Sequence, residues 1–173
     1  MTCVLFPQKI IHKYVVSNLK EIENIELNFG YPEHGWLPVE FKHGEFELNF
    51  EASDVPKIPT DLLCECLVSF LKGLESKMYW FLEPGYFLFE FKETPKGIDL
   101  FISESNDSVI KQKEMKKISG DFKSIILPIY RTLKRFDSFE LNEIDWKKIN
   151  QMKLKELTDL INVRKTTYNK VYN

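Results

Sequence analysis

Three groups of side chains in this 173-residue sequence could do chemistry. The first is Glu33, His34 and His43. Two imidazoles and a carboxylate are the donor set of a small metal-assisted hydrolase, where a divalent ion polarises the substrate and activates water. They flank the stretch from Trp36 to Lys42, so the loop before it must fold back for them to share an ion. The second group is Cys64-x-Cys66. It stands in a helical pattern, where residues i and i+2 point about 200° apart at 3.6 residues per turn. Two small buried residues is therefore the reading, and no metal site is assigned there. The third group is Glu40, Glu47, Glu51 and Glu90, on outward positions of predicted strands, with Trp36 on the same face and Trp80 joining them if its strand is two-sided. Several carboxylates beside an aromatic anchor make a surface that attracts and holds a basic protein. The same charges also protect an open sheet face from aggregation.

Other signatures are absent. No glycine cluster precedes a helix to cradle phosphate, and there is no G-x-S-x-G elbow for an acyl nucleophile. His12 has no evident catalytic companion, and Asp54 and Asp61 bracket a helix start where loop and cap roles suffice. No cofactor is expected. The lysines at 111, 113, 116, 117 and 123 are the one candidate for nucleic acid, but aromatics are not interleaved with them. An acidic remainder repels phosphate, so no nucleic-acid partner is assigned.

The elements that must position these residues follow from periodicity. Residues 24–29 alternate Ile25, Leu27 and Phe29 and predict a strand; 30–35 predict a loop. Leu37, Val39 and Phe41 alternate with Trp36, Pro38, Glu40 and Lys42, and Phe46, Leu48 and Phe50 with Glu47, Asn49 and Glu51. This is a hairpin with one apolar face, turning at His43-Gly44. A helix follows, capped by Thr60, with Leu63, Leu67, Phe70, Leu71 and Leu74 as its buried stripe and Gly73 as its stop. Residues 77–83 read as a central strand, apolar on both faces. Glu83-Pro84-Gly85-Tyr86 predicts a type II turn into a strand bearing Phe87, Phe89 and Phe91. Ile98, Leu100 and Ile102 mark another strand, and 109–117 a last one. From Ser119 the period becomes helical: Phe122, Ile126, Ile129, Leu133 and Phe136 form a seam that Pro128 should kink or break near Ser124. Asn150 caps a final helix with the stripe Leu154, Leu157 and Ile161. Residues 8–20 lean towards a helix.

The expected fold class is α+β. A mostly antiparallel sheet has one helix inserted between its hairpins, and helices gather at the C-terminal end. One domain spans 1–173, sheet-rich over 24–117 and helical over 119–165. Charge is segregated within it: residues 1–110 hold nine Lys or Arg against eighteen Asp or Glu, and 111–173 hold fifteen against eight. Two surfaces of opposite sign follow. Cys3, Cys64 and Cys66 make an odd count without framework spacing, which suits reduced thiols in the cytoplasm. The apolar patches VLFP and YVV are interrupted by Lys9, His12 and Lys13, unlike a signal peptide. No run approaches the roughly 20 apolar residues of a membrane span, so no membrane partner is expected.

Tyr31-x-x-x-Gly35-Trp36, Ser53-Asp54-x-Pro56, Asp61-Leu62 and Trp80-x-x-Glu83-Pro84-Gly85-Tyr86 together resemble a group of small uncharacterised bacterial proteins. Some of these resemble immunity partners of secreted polymorphic toxins. The resemblance covers about half the chain and implies a cytoplasmic, toxin-neutralising protein with a basic toxin domain as partner. It lends no catalytic residues. The leading expectation is thus a non-catalytic binding protein using Trp36, Glu40, Glu47, Glu51 and Glu90. The alternatives are the metal-assisted hydrolase above and a structural subunit that self-associates through its basic helices. Oligomeric state is left open.

Overall fold

Apolar alternation does produce antiparallel strands, but they pair into two sheets rather than one. The computed structural model describes residues 23–106, 112–142 and 146–172. The helix expected over 8–20 lies outside these residues. The order of elements is β1 (Glu26–Phe29), β2 (Trp36–His43), β3 (Phe46–Ser53), α1 (Pro59–Leu71), β4 (Ser76–Phe81), β5 (Tyr86–Thr94), β6 (Gly97–Ser105), β7 (Lys113–Gly120), a π-helical turn (Phe122–Ile126), α2 (Leu127–Asp137) and α3 (Gln151–Tyr172). The first sheet runs β1-β2-β3 and the second β4-β5-β6-β7. The fold is α+β.

The two sheets share one apolar core. Val39, Phe41, Leu48 and Phe50 of the first turn towards Trp80, Phe87 and Phe89 of the second. Ring centroids lie 5.2 Å apart for Phe41 and Phe89, 4.9 Å for Phe50 and Phe87, and 5.6 Å for Phe50 and Trp80. Tilted and edge-to-face pairs of this kind add to the free energy of burial. β4 is an edge strand, not the central one that its two apolar faces suggested. Its inner residues Met78 and Trp80 are fully buried, and its outer Tyr79 and Phe81 are sheltered by each other and by Tyr86.

Helix α1 lies against the second sheet. Leu63 and Leu67 are fully buried, and Phe70 packs on Phe91 at 5.9 Å. It starts one residue before the expected cap, because Pro59 has no N–H to leave unpaired in a first turn; Thr60 is buried inside the helix. The C-terminus closes in a Schellman motif. The N–H of Leu74 donates to Ser69 O at 3.0 Å and that of Gly73 to Phe70 O at 2.9 Å, with Gly73 at φ 76°. The chain has therefore left the helix by Leu74, which is exposed rather than part of the stripe.

The C-terminal helices follow their seams. Phe122, Ile126, Ile129, Leu133 and Phe136 are all buried, as are Leu154, Leu157 and Ile161. Pro128 changes the helix geometry near Ser124 without interrupting it: a π-helical turn, capped by a reciprocal Asp121–Ser124 box, runs directly into α2 at Leu127. Asn150 caps α3, its Oδ1 accepting from the N–H groups of Met152 and Lys153. Asp61 of α1 takes the Asn150 N–H at 2.8 Å and Lys153 of α3 at 3.3 Å, which ties the two helices together. Among the described residues, no helix is long and apolar enough to cross a membrane.

Candidate partner-binding surface

Register in the first sheet decides which side chains share its outer face, since directly opposed residues point the same way. The outer rows read Glu26–Lys42–Glu47, Asn28–Glu40–Asn49, Pro38–Glu51 and Trp36–Ser53. Glu40, Glu47 and Glu51 are exposed and Trp36 is half-buried. Lys42 is the one lysine in these rows, and its ammonium bonds Glu47 at 3.1 Å. The Glu47 carboxylate holds Lys42 above the ordinary lysine range, with Glu40 and Glu26 adding to the pull. The structure thus brings Trp36, Glu40, Glu47 and Glu51 onto one face.

Glu90 does not join them. It lies on β5, in the second sheet, opposite Lys77. Lys77 and Lys92 stand 3.7 and 3.2 Å from its carboxylate, whose side chain is only 21% exposed. That outer face is cross-neutralised: Lys117 bonds Asp99 at 2.8 Å and holds its carboxyl below the usual range, with Ser119 assisting. Lys92 and Lys117 also lie 5.0 and 5.2 Å from the Phe101 ring centre. The expectation of a single acidic face failed here because the strands after α1 form a separate sheet.

The other candidates separate cleanly. His34 is at the tip of a two-residue turn and His43 at the far end of β2. The seven residue steps of the strand span about 23 Å, so the two imidazoles cannot share an ion. Among the described residues, no group of three or more His, Cys, Asp or Glu is placed to hold a metal. Cys64 and Cys66 are buried in α1, and burial pushes both thiols up to about 12. Of the lysine set, Lys117 is engaged as above and Lys116 sits 5.7 Å from the Phe46 ring centre; Lys111 is outside the described residues.

One constellation escaped the sequence reading. The segments around Trp36, Ser53 and Glu83 meet at one end of the molecule. Glu33 and Trp36 exchange backbone bonds of 3.0 and 2.9 Å across His34-Gly35, both of which take positive φ, as a tight hairpin turn requires. The Asp54 N–H donates to Gly35 O at 2.9 Å. Ser53 Oγ donates to the Glu83 carboxylate and accepts the Val55 N–H at 3.0 Å. The turn at 82–85 contains a cis Glu83-Pro84 bond in place of the expected type II geometry. In sequence these residues look like ordinary turn-formers; the β2-β3 register joins Trp36 to Ser53, and only the stacking of the two sheets brings Glu83 to them. No family model, curated protein or solved structure matches this chain.

Proposed function

We propose that this protein is a non-catalytic binding protein whose acidic face on the first sheet receives a basic protein partner. One observation carries the reading: Glu40, Glu47 and Glu51 are exposed on one face with Trp36, against Lys42 and Arg135, the latter bonded to Asn28 at 2.6 Å. Opposite charge steers a partner to such a face, and a half-buried aromatic gives it an anchor. Exposed carboxylates repel phosphate, which favours protein over nucleic acid. Following the motif resemblance, the partner is the basic domain of a secreted bacterial toxin, bound stoichiometrically in the cytoplasm so that its working surface is covered. Separation of His34 from His43 supports a non-catalytic role over the hydrolase alternative.

The test starts from the tagged full chain as bait in its native cell. A captured protein, prepared pure, should be basic and bind one to one, with association that slows as salt rises. Association insensitive to salt would remove electrostatic capture from the reading.

A further inference from the structure

We propose that the basic partner docks on the end of the molecule where the 31–36 turn, the 51–57 connector and the 82–86 turn meet. Its docking element is a Lys- or Arg-rich segment built around one apolar anchor. The inference rests on the reading of a basic partner and names where that partner sits.

Two of these segments bring large apolar side chains to solvent. Tyr31 and Val55, large hydrophobic side chains, are 49% and 58% exposed, and Trp36, the first residue of β2, is half-buried. Exposed apolar groups rimmed by charge mark interaction surfaces more often than isolated ones do. The charge is one-sided: these three segments carry Glu33, Glu51, Asp54 and Glu83 against Lys57 alone. No ion pair joins the four carboxylates to a lysine or arginine among the described residues, unlike Glu47, Glu90 and Asp99. The end is also pre-formed. The Ser53–Glu83, Val55–Ser53 and Asp54–Gly35 bonds lock three segments distant in sequence. His34 and Glu83 are held at φ 51° and 50°, the left-handed region that residues with a Cβ rarely adopt. A surface fixed before binding loses little conformational entropy when the partner arrives.

The experiment titrates the full-length, 15N-labelled protein with a synthetic Lys/Arg-rich peptide carrying one central Trp. Controls replace that Trp by Ser, or every basic residue by Glu. Amide signals of the non-proline residues in 33–36, 53–57 and 82–86 and the Trp36 indole should move, while those of β7 stay in place; the Ser control should bind more weakly and the Glu control not at all. Glu33→Lys should weaken binding several-fold and Lys57→Glu should strengthen it. Both side chains are exposed, and misfolding cannot account for a gain. Shifts confined to the Glu40 and Glu47 rows would overturn this location while leaving the acidic-face reading intact. Failure of the basic peptide to bind, or binding of the Glu peptide instead, would overturn both.

Discussion

The backbone N–H of Ile25 donates to the carbonyl of Ser124 at 3.0 Å. Ser124 lies four residues before Pro128, which has no N–H to return to it in a helix. The missing donor therefore frees an acceptor, and the chain just before β1 takes it. The same seam is closed further on by Thr132 Oγ1, which donates to Leu27 O, and by the Phe29 and Phe136 rings at 5.5 Å. A local helix defect has become the attachment of α2 to the first sheet.

Thr132→Val should test that seam. Thr132 is buried, and valine keeps its shape while deleting the donor. Leaving the Leu27 carbonyl unsatisfied should cost about 1–3 kcal/mol. Urea unfolding should show a lower midpoint at unchanged slope. An unshifted midpoint would mean that Leu27 O finds another donor.

Leu67→Ala addresses the docking of α1. Leu67 is fully buried one turn before Phe70, whose ring meets Phe91. Removing three carbons from a site that cannot collapse should cost about 2–5 kcal/mol. A loss under about 1 kcal/mol would show that α1 relaxes into the gap and is not held there by this contact.

Much of this was legible because it is local. Period-two alternation defined β2, β3, β5 and β6 nearly to the residue, and the Phe122–Phe136 and Leu154–Ile161 seams gave α2 and α3 their buried faces. The turn after β2 slipped by one residue: Gly44 alone takes positive φ, at the first central position of a Gly44-Glu45 turn, and His43 pairs with Phe46. What alternation cannot state is which strands become neighbours. Both hairpins present an equally apolar face, and whether they extend one sheet or stack as two depends on how α1 packs between them in the chain. Glu90 was misplaced for that reason, and the Ser53–Glu83 bond, spanning 30 residues, was invisible for the same one.

The buried thiols set a pH prediction. Burial, with Asp61 adding for Cys64, raises Cys64 and Cys66 from 9.0 to about 12. A group that holds its proton more tightly when folded stabilises the fold fully below its unfolded pKa. That contribution is lost as pH climbs from about 9 towards 12. In a Cys3→Ser background, both thiols should resist alkylation at pH 8 until denaturant is added, because the thiolate is the nucleophile. Replacing both by alanine should flatten the fall in stability above pH 9. Rapid labelling of the native protein would contradict the burial.

The acidic face and its anchor should separate in kinetics. Charge acts at long range, before contact, whereas an aromatic anchor acts only once it is seated. Glu40→Lys with Glu47→Lys should therefore lower the association rate of the captured partner several-fold and leave dissociation nearly unchanged. Its effect should shrink as salt shortens screening to about 8 Å at 0.15 M. Trp36→Ala should instead speed dissociation, by about 2 kcal/mol if the residue is a hot spot. Lys77→Glu, on the cross-neutralised outer face of the second sheet, serves as the control and should alter neither rate. Surface plasmon resonance at two salt concentrations measures all three. If Lys77→Glu changes association as strongly as the Glu40 and Glu47 reversals do, steering comes from the net charge of the molecule. The first sheet would then have no special claim on the partner.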